Sequence, residues 1–435
     1  MPSDRRRRYR ADGTLQRHGN VLIGGSPLRL FRVTAAGRAV VEQIVAGDDV
    51  AGSALTDSLE DAGAIHPTPT AGAPFRADEV TIVTPTLGEP LHVAPNAVLV
   101  DDGSAIPVGG AALRHDTTRG PAAARNTGLG HVTTPLVAFV DADVVVPEGW
   151  LEPLLAHFVD DRVALVAPRV AARPGPTMLA RYESSSSPID LGAEPARIRA
   201  GTRVGYVPAA AIVCRTDAVR AIGGFDESLR YGEDVDLVWR LDEAGWRCRY
   251  EPTSVVHHEP RRSWPDWIRQ RVSYGSSAAP LAERHPASLA PLRVNAWSLI
   301  AWSLGAIGRP GVGALVGAGS AAALVPRLPD VPPLAALRLA AVGNLRAGEQ
   351  IAHAIRRAWW PVLAIAGLRS RAARRLLIAA LVAQPHPLRA LDDVAYSIGV
   401  WKGVIATRSA TALMPAISSW PPRRASSASP PADAH

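Results

Sequence analysis

LVAFVDAD, residues Leu136 to Asp143, decides the fold. Apolar residues run without interruption and then give way to two aspartates one position apart. A short unbroken apolar run fits a strand buried on both faces, because a strand with one wet face would alternate. Similar runs lie nearby: VTIVTP (80–85), AVLVDD (97–102) and VALVAP (163–168). Helical patterns intervene at 120–130 and 148–159. Such alternation predicts an α/β domain with a mainly parallel sheet, which we place over 76–290. Ligands of these sheets bind outside the carboxyl ends of the strands. Asp101, Asp102, Asp141 and Asp143 all fall at such ends.

The chain has 435 residues, enough for two or three domains with full cores. Its net charge is +7, yet 47% of its residues are hydrophobic. That balance is globular; it excludes a disordered chain and gives no reason to expect a nucleic acid partner. The basic charge is nearly all arginine, Lys402 being the only lysine. Cys214 and Cys248 are too few for a disulfide framework or a zinc cluster and predict reduced thiols in the cytoplasm. The basic run Arg5–Arg8 has no apolar segment after it, so no secretory signal is expected.

Two further regions flank the α/β domain. Residues 14–67 carry VLIG and LRLFRV, then AGRAVVEQIV and ALTDSLEDAGAI. They read as a small strand pair and two helices, with Thr34 as the N-cap of the first. The Pro-rich HPTPTAGAP (66–74) is a linker that closes this module near residue 75. Residues 291–435 are rich in alanine, leucine and tryptophan. AWSLIAWSLGAIG and GVGALVGAGSAAALV, separated by Arg309 and Pro310, predict a broken span, a hairpin or a buried helix pair. AWWPVLAIAGL (358–368) and LLIAALVA (376–383) have arginine flanks. Short apolar helices with such flanks suit a membrane interface or a helical domain packed on the catalytic one; of the two, peripheral contact with the inner face of the plasma membrane is the expectation. The tail after Trp420 is Ser/Pro/Ala-rich and is expected to be disordered.

The carboxylates carry the chemistry. In an extended chain, side chains two positions apart point the same way. Asp141 and Asp143 therefore offer two oxygen ligands to a hard cation, Mg²⁺ or Mn²⁺. A lone pair of this kind also arises by chance. VLVDDGS (98–104) is a second acidic strand end, or an Asp-Gly turn. RGPAAARNTGLG (119–130) is a short helix bearing Arg125 and Asn126, closed by Gly128 or Gly130. GGFDESLRYGEDVDLVWRL (223–241) opens a helix with Glu233, Asp234 and Asp236. Capping the helix and complementing its dipole would account for such acids, and Asp236 can fill that role.

The order of these stretches over residues 78–285 resembles glycosyltransferase family 2, with its Rossmann-like GT-A fold. The resemblance implies that an acceptor hydroxyl attacks the anomeric carbon of a nucleotide sugar, with inversion. Asp234 is then the general base and Glu233 its orienting partner. Asp143 holds the metal, and Asp141 shares it or contacts the ribose. Asp102 reads the uracil, with Thr84, Pro85 and Thr86 beside it. Arg125 and Asn126 shape the nucleotide pocket. Within VVHHEPRRS (255–263), His258 is the first choice for a further metal ligand and His257 the second.

Over its whole length the chain resembles the glycosyltransferases of mycofactocin biosynthesis. The supporting stretches are RHGNVLIGGSPLRLFRVTAAGRAVVEQI, VSYGSSAAPLAERHP (272–286) and AIRRAWWPVLAIAG (355–366). That implies a winged-helix-like N-terminal module of the PqqD type, which recognises peptides. It also implies UDP-glucose as donor, the mycofactocin precursor or its peptide as partner, and a short β-1,4-linked glucan as product. Two other readings compete. One is a rhamnosyl- or galactosyltransferase of cell-envelope assembly with a lipid-linked acceptor. The other is a peptide-recruiting protein with an idle transferase domain. Two departures from the family stand out. The segment between Val83 and Val98 is too short for the usual first helix and must be a loop. RQRVSYG (269–275) is not a clean Gln-x-x-Arg-Trp motif, which argues against long processive synthesis.

Overall fold

A computed structural model describes residues 6–68, 72–90, 92–261, 263–286 and 288–418. Part of the linker expected at 66–74, and the tail after Trp420, lie outside them. The chain forms two compact units. One holds the described residues up to Leu289 together with Ile398–Ser409; the other holds Ala290–Ser397 and the described residues from Ala410 onward.

The central sheet of the first unit explains the apolar runs. Leu136–Val140 is buried at every position and lies inside the sheet. Leu136, Ala138 and Val140 enter one apolar core, and Val137 and Phe139 enter the other. The alternation of side chains along a strand produces this split. Val80–Thr86 pairs parallel with Leu136–Val140 and with Val98–Asp101, and the latter pairs parallel with Leu113–Arg114. Val163–Ala172 pairs parallel with Arg247–His258. The parallel layout read from the sequence is therefore present, with antiparallel additions: Val144–Val145 and Ala196–Ile198 pair antiparallel with Arg247–His258. Ala211–Arg215 runs antiparallel between Leu136–Val140 and Val163–Ala172.

Helix Pro121–Gly130 covers this sheet with three fully buried alanines, Ala122 to Ala124. Gly128 lies inside it and does not end it. A Cβ there would come within 2.3 Å of Val83 Cγ1, so only glycine lets helix and strand approach so closely. No helix forms among the described residues between Thr86 and Val98. Instead the loop lies against the Asp-rich turn, where the His92 N–H donates to the Ala142 carbonyl at 2.9 Å.

The N-terminal residues form two three-stranded sheets and two helices, more strand than expected. The arginine run is part of a strand, Arg6–Ala11, whose Tyr9 is buried. Thr34 caps Ala35–Ala46 by accepting from the Gly37 N–H at 3.2 Å. The second helix, Ala54–Asp61, presents Asp57, Glu60 and Asp61 to Arg247, with Asp57 also bridging Arg162 at 2.7 Å. Glu60 is 1% exposed and also pairs with buried Arg249. Charges this deep are tolerated only when paired, because desolvation of a lone ion costs several kcal/mol.

The second unit is helical. Ala296–Ala306 and Pro310–Ala322 form a hairpin that turns at Arg309. Pro333–Ala354 continues through a π-turn, Ile355–Trp359, into Trp360–Gly367. Buried Arg356 donates to Asp393 at 2.7 Å and to the Ala380 carbonyl at 2.6 Å. Among the described residues no helix is long and apolar enough to cross a membrane.

Replacing Glu60 by alanine removes the ion-pair partner of Arg249 and leaves that cation buried. We expect a loss of about 3–5 kcal/mol, read as a lower urea midpoint.

Candidate active site

The placement of the expected metal ligands follows from strand register. Val144 and Val145 pair with His258 and His257, and the Glu259 N–H donates to the Asp143 carbonyl at 3.1 Å. This sets His258 Nε2 3.1 Å from Asp143 Oδ2. His257 is absent from this contact, since neighbouring strand residues face opposite ways. Its Nδ1 is buried without a hydrogen-bond partner. Arg261 Nη2 stands 3.6 Å from the same Asp143 oxygen. Burial pushes the Asp143 carboxyl up, but the His258 hydrogen bond and the charges of His258 and Arg261 outweigh it and hold the group low. Asp143 and Arg261 line an open cleft of about 510 Å³ with Tyr231, Glu259, Gln270 and Tyr274.

A carboxylate and an imidazole converging at a cleft are a fitting donor pair for Mn²⁺ or Mg²⁺. Among the described residues no third His, Cys, Asp or Glu completes a cage. Substrate phosphates would have to supply the remaining oxygens. Asp141 is engaged elsewhere: its Oδ1 accepts from Arg125 Nη2 at 2.7 Å. The shared-metal role expected of it would fall to its other oxygen, since Oδ1 faces a guanidinium.

The Glu-Asp pair lies on helix Glu233–Glu243, which follows Gly232 in a left-handed conformation (φ 80°). A Cβ on Gly232 would meet Leu281 and Ser277 at 2.9 Å, so the turn needs glycine twice over. Glu233 is buried and accepts from Arg125 Nη1 at 2.8 Å. Asp234 is half-buried; its Oδ1 accepts from the Val235 N–H at 2.8 Å and its Oδ2 from the Ala209 N–H at 3.3 Å. Burial, then the adjacent Glu233 charge, pushes the Asp234 carboxyl up to about 7, against the pull of these N–H groups and of Arg125. Tyr274, a wall of the cleft, feels the charge of Asp234. Asp236 does not cap the helix. It is fully buried and receives Arg240 at 2.7 Å, Arg284 at 2.8 Å and His285 at 3.0 Å, which ties the helix to Ala278–Arg284 and the residue after it.

The expected nucleotide residues divide. Thr84, Pro85 and Thr86 are buried at the end of their strand. Thr86 donates to the Gly88 carbonyl at 2.8 Å, and the Gly88 N–H donates to Ser104 Oγ at 2.7 Å. Asp102 is not a free reader of a base. Its Oδ1 faces His115 Nδ1 at 2.7 Å and accepts from the Arg119 N–H at 3.0 Å, and its Oδ2 accepts from the Gly120 N–H at 2.8 Å. It clips the turn before helix Pro121–Gly130. Asn126 holds the backbone of Phe225 through both ends of its amide, at 2.9 Å and 2.8 Å. It therefore fixes the GGF turn. Arg261 and Tyr274 were not anticipated, although both stand in stretches quoted above. His115, 13 positions from its partner Asp102, leaves no local signal.

Residues 97–219 match the family described as Glycosyl transferase family 2. The pre-mycofactocin glycosyltransferase of Mycobacterium tuberculosis is 41% identical over 95% of this chain and 97% of its own length. An N-acetylglucosaminyl-diphospho-decaprenol L-rhamnosyltransferase of the same organism is 37% identical over 22% of this chain and 32% of its own. Among solved structures, a mannosyltransferase from Pyrobaculum calidifontis overlaps 79% of this chain and 92% of its own, with 17% identity and a TM-score of 0.42. The 41% identity spans both units, the acidic strand ends and the Glu-Asp helix together. The chain belongs to glycosyltransferase family 2, among its mycofactocin glycosyltransferases, and has the α/β fold of the GT-A type.

Proposed function

We propose that this glycosyltransferase moves glucose from UDP-glucose to the mycofactocin precursor, with inversion, and repeats the step to build a short β-1,4-glucan. One observation carries the catalytic part: of two adjacent carboxylates, Glu233 is tied to Arg125 while Asp234 is held by backbone N–H groups and pushed up to about 7. A base matched to neutral pH is efficient because it is both ionised and basic enough to take a proton. The acceptor O–H bond breaks as its oxygen bonds to the anomeric carbon. The proton passes to Asp234, and the bond from that carbon to the diphosphate oxygen breaks on the opposite side. A divalent cation held by Asp143 and His258 would neutralise the departing diphosphate. Arg261 adds positive charge at the same end. The acceptor follows the name of the mycofactocin relative; UDP-glucose as donor, and recruitment of the precursor or its peptide by the N-terminal module, are what the family resemblance implies.

The helical unit supports peripheral attachment to an anionic membrane. Trp297, Trp302, Leu315, Leu334, Ile365 and Leu368 are all exposed, the last by 78%. Arg371, Arg374 and Arg375 are exposed on the helix Arg371–Val382, which also exposes Ile378 and Val382. Apolar side chains beside arginines suit insertion at a headgroup boundary with electrostatic help.

Mass spectrometry of protein, Mn²⁺, UDP-glucose and the precursor should show successive hexose additions. Transfer from another nucleotide sugar alone, to a lipid-linked acceptor, would favour the envelope reading. The acid limb of kcat/KM should fall below a pH near 7, since only ionised Asp234 accepts a proton. Asp234→Asn should lower kcat by about 100- to 10 000-fold. The same variant should melt higher than the native protein at pH 8 but not at pH 4. The raised carboxyl prefers its proton when folded, so the native protein loses stability as pH climbs from the ordinary carboxylate range through about 7. Phosphatidylglycerol vesicles should sediment the protein at low salt and release part of it at high salt. Failure to bind them at low salt would remove the membrane contact.

A further inference from the structure

Arg125 is 4% exposed and makes contacts at both ends of the site. Nη1 donates to Glu233 beside the base, and Nη2 donates to Asp141, two residues from Asp143. Its guanidinium carbon lies 5.3 Å from the centre of the Phe225 ring, which packs edge-on against Phe139 in the core. Its Nε is buried with no partner. A nucleotide pocket does not need such burial. A planar fork between two carboxylates sets direction as well as charge.

The geometry points to Arg125 as a positioning residue that joins the two ends of the site: it holds Asp141 away from the cation and Glu233 away from Asp234. This rests on the functional reading above. Without the fork, Asp141 is free to turn toward Asp143, and the cation site gains an anionic oxygen while losing a nearby positive charge. Both changes tighten cation binding, since affinity rises with the number of charged ligands. At the other end, Glu233 loses its partner and its charge bears on Asp234 unopposed. Asp234 faces Glu233 on its own helix, Arg125 from Pro121–Gly130 and Tyr274 from Trp264–Ser276.

The test uses full-length Arg125→Gln and Arg125→Lys, with circular dichroism melts to confirm folding. Mn²⁺ alone is titrated without nucleotide, and free Mn²⁺ is followed by electron paramagnetic resonance. Arg125→Gln should bind Mn²⁺ several-fold more tightly than the native protein, while kcat falls about 100-fold with a smaller change in KM. The acid limb of its pH profile should move to higher pH. Arg125→Lys, with one ammonium for two carboxylates, should fall between. Unchanged or weaker Mn²⁺ binding with an unmoved acid limb would overturn the proposal and leave the transferase reading standing. If neither the native protein nor the variants bind Mn²⁺, the metal reading and this proposal fall together.

Discussion

A single guanidinium reconciles the negative charges that the strand ends bring together. Asp141, Asp143, Glu233 and Asp234 all belong to one site, and like charges at short range disfavour one another. Arg125 answers two of them, Glu233 and Asp141, while His258 and Arg261 answer Asp143. Among the described residues, Asp234 has only backbone N–H groups as hydrogen-bond partners. Burial also pushes the Asp141 carboxyl up, against the pull of Arg125; Asp234, with no guanidinium bonded to it, is pushed up to about 7, which suits the proposed base. On the proposed mechanism, the base is selected by what its neighbours are already paired with.

The frame that holds these groups is rigid for simple reasons. The sheet beneath them is buried on both faces, and Gly128 lets the helix carrying Arg125 approach Val83. Asn126, the next residue, fixes the Phe225 backbone over which Arg125 lies. Asp102 anchors the turn that starts the same helix. Residues expected to touch a nucleotide thus do their visible work by holding the one helix that serves both ends.

Much of this was legible in the sequence. Unbroken apolar runs ending in carboxylates gave the strands and put Asp141 and Asp143 at the site. The glycine before Glu233 and Asp234 marked the start of their helix. Other features were hidden because their partners are distant along the chain. Nothing near Asp102 announces His115, and nothing near Asn126 announces Phe225. Asp236 looked like a cap because acids at helix starts usually are, yet tertiary partners on Ala278–Arg284 and His285 claimed it. AIVC, at the start of the strand Ala211–Arg215, is too short for periodicity to separate strand from helix. Arg261 joins the cleft only because Arg247–His258 pairs beside Asp143, a register that no local pattern states.

The division of labour between Glu233 and Asp234 is the central claim, and infrared difference spectroscopy of the carboxyl groups tests it without substrate. The native protein should show a protonated carboxyl band that titrates with a midpoint near 7 and is missing from Asp234→Asn. If every carboxyl of the native protein has ionised by about pH 5, as unperturbed groups do, the account of the base is wrong.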